Sequence, residues 1–542
     1  MANVVASRYE NFRAPKGDQT SLVSPDVADV VHRLSSPHEF SFSADAGQVE
    51  FCGKSLDAAR NFAREEIVQL AVAYTNRYSQ TQSIAPASIA STPIVLSGHQ
   101  PELFHPGVWF KNFLLGDLVS KSGAIGINFL VDNDLCRSPA VRVPQQVGTD
   151  SDLASSTAAM DIAGESVPWE LRLVHDRKLF EQFPQTIRGK LPDSVQSPLV
   201  VDAVWPEVTK AVGDGWNLGQ ALARGRHKLE RDNGLDTLEL PLSQIAQTRS
   251  FARFSIQLLS QLPRFQFVYN DQLKRYREAH KIRNHAHPVP ELGEADGWLE
   301  APLWIYRADA PARQRLWVRI ENDELHLSDR EGWTATISGR LDCDNSATQW
   351  LKIADEGAFL RPRALLTTMF MRLFVGDLFI HGIGGAKYDQ LTDTIIEEFF
   401  GLEPPPVCVA TATVQLPINQ EERVSDAAIE EAKGRVWRLQ HNPEQELTLS
   451  GEAADELATL VEKKAQLLAN VPDRGDKWQW HTDLKSVKSG LSDLAKPALE
   501  AAQQQLQQLE KQQRQDAVSH SREYSFALFP LSTIISDLRG LL

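Results

Sequence analysis

No apolar run in this 542-residue chain approaches the ~20 residues that a bilayer-spanning helix needs. The first residues, MANVVASRYENFRAPKGD, also lack the apolar core of a secretory leader. A cytoplasmic protein with no membrane partner is the expectation. Cysteine is scarce. The 4 present, Cys52, Cys136, Cys343 and Cys408, lie far apart with no C-x-x-C pair. That argues against a disulfide framework and against a thiolate zinc site. Positive charge is in deficit, with a formal net charge of −15. An acidic surface repels phosphate backbones, so no nucleic-acid partner is expected, although a local basic pocket is compatible with this balance. Three motif absences narrow the chemistry: there is no G-x-S-x-G elbow, no G-x-G-x-x-G and no P-loop lysine pattern. What remains is 42% hydrophobic and 23% charged, the balance of a globular chain with room for roughly two to four domains.

The most informative stretch is residues 94–134. An apolar run at 94–96 ends in Ser97-Gly98-His99-Gln100, and a second histidine, His105, precedes Pro106-Gly107. An amphipathic helix pattern follows. A second apolar run at 127–131 ends in Asp132-Asn133-Asp134. Strand, loop, helix, strand, loop is the order of two parallel strands joined by a helix, which puts both loops at the sheet edge where open α/β sheets bind ligands.

Around this unit the chain divides into three parts. Residues 1–93 read as an irregular start followed by a helix over 55–78. Residues 94–420 read as a Rossmann-like parallel sheet interrupted by insertions. Within it, 141–143 suits a strand, 149–166 a polar surface loop and about 190–290 a mostly helical insert. A small antiparallel β insert spans about 298–338, carried by Leu303-Trp304-Ile305-Tyr306 and Leu316-Trp317-Val318-Arg319-Ile320. Helix–strand alternation resumes at 362–414: a helix at 362–374, a strand at 378–381, the turn Gly382-Ile383-Gly384-Gly385, a helix at 386–400 and a strand at 407–414. Residues 421–542 read as helical, with a Gln-rich, thinly apolar segment at 495–519 that suits a hairpin or a short coiled coil. An apolar tail at 524–542 has to dock somewhere.

Several residue types at the sheet edge carry chemistry. Gly98 permits a sharp turn, and Gly107 opens a helix whose first N–H groups favour an anion. His99 and His105 can donate hydrogen bonds to phosphate or carboxylate oxygens, and Lys111 adds a point charge one turn into the helix. The alternative is that His99 caps a strand and His105 a helix. Asp132 and Asp134 suit orientation of an amine or general-base work, or simply helix capping. Gly384 and Gly385 allow close backbone approach to a ligand, with His381 at the strand end before them. Arg275, Arg277 and Arg283 form the most basic window and can clamp a carboxylate or phosphate, or merely solvate a helix face. His285 and His287 have no matching third ligand, so no metal is expected.

These segments resemble the cysteine-adding enzymes of bacillithiol biosynthesis. The likeness lies in Gly98-His99-Gln100 through Lys111, in the acidic strand end Asp132-Asn133-Asp134, and in the aromatic hairpin at 298–333. It continues in Leu360-Arg361-Pro362 through His381-Gly382-Ile383-Gly384-Gly385-Ala386-Lys387-Tyr388 to Pro406, and in the tail Ser521-Arg522-Glu523-Tyr524. Two departures fall in the expected site: His99 stands where the family has glutamine, and Asn133 where it has histidine. The resemblance implies a Rossmann-type core and a C-terminal coiled-coil region through which two copies form a homodimer. It also implies a ligase joining cysteine to a glucosaminyl-malate amine.

A carboxylate must be activated before an amine can attack it, most simply by ATP. The expectation is therefore an amide-forming ligase with His99, His105, Asp132 and Asp134 as catalytic residues. Gly98, Gln100, Gly107, Lys111, Asn133, His381, Gly384, Gly385, Tyr388, Arg275, Arg277 and Arg283 would bind substrate or nucleotide. The alternatives are a nucleotide- or sugar-binding protein without turnover, and a related transferase acting on another amine.

Overall fold

The computed structural model describes residues 10–35, 49–147, 152–195, 198–338, 343–418, 423–472, 475 and 477–542. In chain order the elements that matter here begin with β1 (Thr20–Ser24), α1 (Leu56–Thr75), β2 (Ile94–His99), α2 (Pro106–Ser122), β3 (Ile125–Leu130), β4 (Leu238–Pro241) and α3 (Leu262–Ala279). The insert then supplies β5 (Trp298–Arg307), β6 (Gln314–Glu321), β7 (Glu324–Ser328), β8 (Thr334–Ser338) and β9 (Ala358–Pro362). Next come α4 (Ala364–Phe370), β10 (Leu378–His381), α5 (Ile383–Ile395) and β11 (Val407–Thr413), followed by α6 (Asp426–His441), α7 (Glu452–Ala469) and α8 (Lys477–Ser519).

The chain forms two compact units. The first comprises residues 1–143, 156–416 and 522–542; the second comprises 144–155 and 417–521. In the first, a six-stranded sheet has the order β1-β11-β10-β2-β3-β4. All neighbours are parallel except the antiparallel edge pair β1–β11. From β2 the chain runs outward through β3 to β4; β10 and β11 extend the sheet the other way. Strand order thus reverses between β2 and β10. The aromatic hairpin region folds as expected into an antiparallel sheet, β5 through β8, with β9 pairing on the far side of β5. In the second unit α8, a 43-residue helix, packs against both α6 and α7. Asp152 accepts a hydrogen bond from Lys511 Nζ at 3.0 Å in the same unit.

Several sequence expectations are corrected. Residues 20–24 and 27–34, expected as irregular, are an edge strand and a helix N-capped by Asp26. The strand is only five residues long; the helix does carry apolar residues at helical spacing, Val27, Val30, Val31 and Leu34, over little more than two turns. The helical insert contains β4, a strand whose Glu239 is fully buried, so its pattern does not read as apolar. The loop expected at 149–166 contains a strand, Asp152–Ala159, made of small residues; residues 149–151 lie outside the described part. α2 is not amphipathic. Its Trp109, Phe110, Phe113, Leu114 and Leu118 are buried, and so are Lys111 and Asn112. The C-terminal tail covers its outer side: Phe526 packs on Trp109 with ring centroids 4.5 Å apart, and its N–H bonds to Phe104. The helix expected from 362 begins only at Ala364, because 358–362 is β9. Finally, Cys52 and Cys343 form a disulfide, joining residues 291 apart in sequence, while Cys136 and Cys408 are free and buried. Sequence distance hid a pair that the fold brings together.

The base of the reversal is held by charge. Asp377, just before β10, accepts from Arg60 at 2.5 Å and Arg64 at 2.9 Å, both on α1. Its Oδ2 also takes the Ile94 N–H at 2.7 Å, and its own N–H bonds to the Ile94 carbonyl at 2.8 Å. The same arginines donate to the Leu373, Val375 and Gly376 carbonyls of the π turn that ends α4, groups that a helix C-terminus leaves without intrahelical partners.

Two outcomes follow. Asp377→Ala leaves two buried guanidiniums without their carboxylate, and urea denaturation should show a loss of about 3–5 kcal/mol; a loss within experimental error contradicts the clamp. Thiol titration of the unreduced, denatured chain should find two of the 4 cysteines reactive. Four reactive thiols would exclude the bridge.

Candidate active site

A cavity of about 870 Å³ opens at the C-terminal ends of β2 and β10, where strand order reverses. This is the position at which open α/β sheets bind ligands, and the volume suits a small-molecule site. β2 delivers Gly98, His99 and Gln100; β10 delivers His381 and the turn into α5. α2 and α5 both direct their positive N-terminal ends at the cavity; the first N–H groups of α2 are taken by His105, whereas those of the first turn of α5 have no intrahelical acceptor. Arg13, Lys111, Arg313, Arg363, Lys387 and Arg522 also line it, against only Asp134 and Glu523. A cavity lined mostly by cations, in a chain of net charge −15, has the electrostatics that suit an anion.

Backbone closeness explains two glycines. A Cβ at Gly98 would lie 2.5 Å from the Phe129 ring. One at Gly107 would lie 2.3 Å from the Ala412 carbonyl oxygen and 2.6 Å from the Arg522 guanidinium, so only glycine lets α2 start against β11.

The two histidines present opposite faces. His99 Nδ1 sits 3.1 Å from the Gln100 carbonyl, which can only accept, so the ring carries its proton there and Nε2 keeps a lone pair. Burial, reinforced by Lys111, pushes its pKa down to about 3, and the ring stays neutral at physiological pH. His99 is therefore an acceptor rather than the expected phosphate donor. His105 is the N-cap of α2. Its Nδ1 accepts the Gly107 N–H at 3.1 Å, which leaves Nε2–H as a donor 3.9 Å from Glu523. Burial lowers its pKa, opposed by Glu523. Capping and cavity lining coexist at this residue. Lys111 is buried and donates to the Gly98 carbonyl at 2.8 Å. Burial, then the nearby Arg226, pushes its ammonium down to about 8.

The opposite wall is a network. Asp134 accepts from Gln100 Nε2 at 3.0 Å and from Arg313 at 3.0 Å. Asn133 donates to the Pro362 carbonyl at 2.7 Å. Trp304 lies between two guanidiniums, Arg313 at 4.9 Å and Arg363 at 4.2 Å from its ring. Arg363 pairs with Glu300 at 2.7 Å, yet its Nε and one terminal nitrogen are buried without a hydrogen-bond partner. Such a group is costly to leave unmet, which marks a place for an acceptor.

Of the residues expected from sequence, Gly98, His99, Gln100, His105, Gly107, Lys111, Asn133, Asp134, His381, Gly384, Gly385 and Tyr388 line this one cavity. Burial, then Asp389, raises the Tyr388 phenol to about 12, so it is a donor at neutral pH. Asp132 does not line the cavity. It is fully buried and accepts from the Ser243 N–H at 2.8 Å and hydroxyl at 2.5 Å. Burial, followed by Glu170, raises its carboxyl to about 7. The basic window is corrected as well. Arg275 is exposed and pairs with Asp271 along α3. Arg277 is committed to Glu291 and to the carbonyls of His285, His287 and Val289, and so shapes the loop whose Val289 and Pro290 reach the cavity. Arg283 lines a separate depression with Lys274 and Lys281. The anion-facing cations Arg313 and Arg363 were missed because they sit at the edges of aromatic strands. Arg522 was visible in the tail motif, though no role followed from it. Among the described residues no group of three or more His, Cys, Asp or Glu could hold a metal ion.

No family model matches the chain, and no curated protein is significantly similar to it.

Lys111 makes the cavity pH-sensitive. Its charged form is present below about 8 and is lost as pH rises through that value. Calorimetry with inorganic pyrophosphate should therefore show weaker binding between roughly pH 7 and 9, and Lys111→Met should flatten that slope. A slope unchanged in the variant assigns the effect elsewhere.

Proposed function

We propose that the protein is an ATP-dependent, amide-forming ligase. In this reading it joins a cysteine carboxylate to the amine of a glucosaminyl-malate-like sugar. The observation that carries the reading is the cationic cavity at the strand-order reversal, faced by two helix N-termini and flanked by neutral acceptors. Such a site suits a substrate pair in which one partner is polyanionic and the other must remain an uncharged nucleophile. The residue pattern shared with the cysteine-adding enzymes supplies the substrates. A nucleoside triphosphate would transfer its terminal phosphoryl group to the carboxylate, giving a carboxylic–phosphoric mixed anhydride and a nucleoside diphosphate. His105, Lys111 and Arg522 stand where phosphate oxygens would be held, and Arg313 with Arg363 where substrate carboxylates would be. Holding both partners in one cavity supplies the proximity the reaction needs.

A second reading, a nucleotide- or sugar-binding protein without turnover, is favoured by one observation: Asp132 is outside the cavity and Asp134 is tied to Arg313, so neither expected carboxylate is free to act as base.

Purified protein given cysteine, ATP and glucosaminyl-malate should release ADP and phosphate with formation of the amide, followed by mass spectrometry. Arg363→Met should raise the KM for the carboxylate substrate roughly 10- to 100-fold, the worth of a charged hydrogen bond. Calorimetric binding of ATP with no product at high enzyme concentration selects the second reading.

A further inference from the structure

The amine in such a reaction must lose a proton, and the carboxylates expected to take it are committed elsewhere. One buried pair of the cavity is not. His381, at the end of β10, has its Nε2 2.8 Å from Asp389 Oδ2 on α5. Asp389 is in turn held by Arg372 at 2.7 Å. Arg372 and His381 keep the carboxyl below the usual carboxylate range, although burial opposes them. An ionised carboxylate only accepts, so the imidazole proton lies on Nε2 and Nδ1 carries a lone pair. The side chain is only 7% exposed, stacked on Phe379, and Nδ1 makes no hydrogen bond among the described residues. Nδ1 faces the first turn of α5. A Cβ at Gly385 would come within 2.7 Å of it, whereas the space beside Gly384 is open. Glycine at 385 thus keeps a buried lone pair uncovered, on the cavity side, next to backbone N–H groups with no intrahelical acceptor.

We infer that His381 is the general base of this site, oriented by Asp389, and that the N-terminal turn of α5 receives the negative charge that develops on the reacting carbonyl. This rests on the ligase reading for the identity of the nucleophile. The amine lone pair forms the C–N bond, and phosphate departs with the electrons of the anhydride C–O bond. The N–H proton moves to His381 Nδ1, and the resulting imidazolium keeps its Nε2–H on Asp389. The groups facing His381 are Asp389 on α5, Arg372 in the π turn after α4 and Lys111 on α2. Burial first, opposed by Asp389, places its titration below the ordinary imidazole value of about 6.5.

With amide formation as the readout, His381→Gln should lower kcat by about 10²–10⁴-fold, leave KM nearly unchanged and remove the acid limb of the pH profile. Asp389→Asn, a change at a positioning residue, should shift that limb and lower kcat less. Gly385→Ala should lower kcat, since its methyl group must displace the His381 ring or cover Nδ1; with folding checked by circular dichroism, it keeps the test alive if a His381 variant fails to fold. Wild-type kcat and pH profile in His381→Gln, or wild-type turnover in Gly385→Ala, would overturn the assignment. If the wild-type protein forms no amide, the ligase reading has failed and the dyad is judged by ¹⁵N-histidine NMR near neutral pH. An unprotonated Nδ1 with an Nε2–H signal that Asp389→Asn displaces sustains the base geometry; a protonated Nδ1 refutes it.

Discussion

Everything at the cavity depends on one carboxylate at the opposite edge of the sheet. Asp377 gathers Arg60 and Arg64 of α1 and bonds to Ile94, the first residue of β2, so β2 and β10 start in a single shared register. Both strands then run the same way and end side by side. Because the chain leaves β2 in one direction and approaches β10 from the other, their following loops diverge and leave a gap. Burying two guanidiniums is costly unless they are paired and hydrogen-bonded. Here the carboxylate and the π-turn carbonyls meet that need together.

The same economy of charge shapes the site. An acidic chain makes a cationic cavity by committing the carboxylates around it. Asp134 is taken by Arg313, Glu300 by Arg363, Asp389 by Arg372 and His381, and Asp132 by Ser243. Glu230 and Glu239 bind Arg226 behind α2, which keeps a positive charge near Lys111. Each of these acids thus has a partner, and the surplus of guanidinium and ammonium groups faces the cavity.

How much of this was legible depends on whether a residue acts through local pattern or through distant contact. β2, α2 and β3, the aromatic hairpins, β10 and β11 announce themselves by apolar runs and by glycine turns. Gly98, His99, His105, Lys111, His381 and Gly384 follow from their position at strand ends, and the fold brings them together in one cavity. β4 is four residues long and carries a buried glutamate, so its strand character depends on Arg226 and Asn128 rather than on its own sequence. Asp132 looks equivalent to Asp134 in the chain, yet β3 ends at Leu130 and the turn through 132–134 takes one side chain to Ser243 and the other to the cavity. The basic window failed for the opposite reason: along α3 and the loop after it, charges adjacent in sequence point to solvent, to loop carbonyls or to another depression. The Cys52–Cys343 bridge depends wholly on tertiary proximity.

Phe12, Arg13 and Ala14 line the cavity, and so do Arg522 and Glu523. The early segment is strapped across the sheet edge, with Gln390 donating to the Glu10 carbonyl and Thr413 to that of Pro15; the late one is held by Arg522 on Thr411 and Ala412. A ribosome must therefore translate nearly everything between these two segments before the pocket has both of its walls. The nascent chain lacks part of this cavity until Arg522 and Glu523 are in place, so a polypeptide stalled before Arg522 has only one of its two walls.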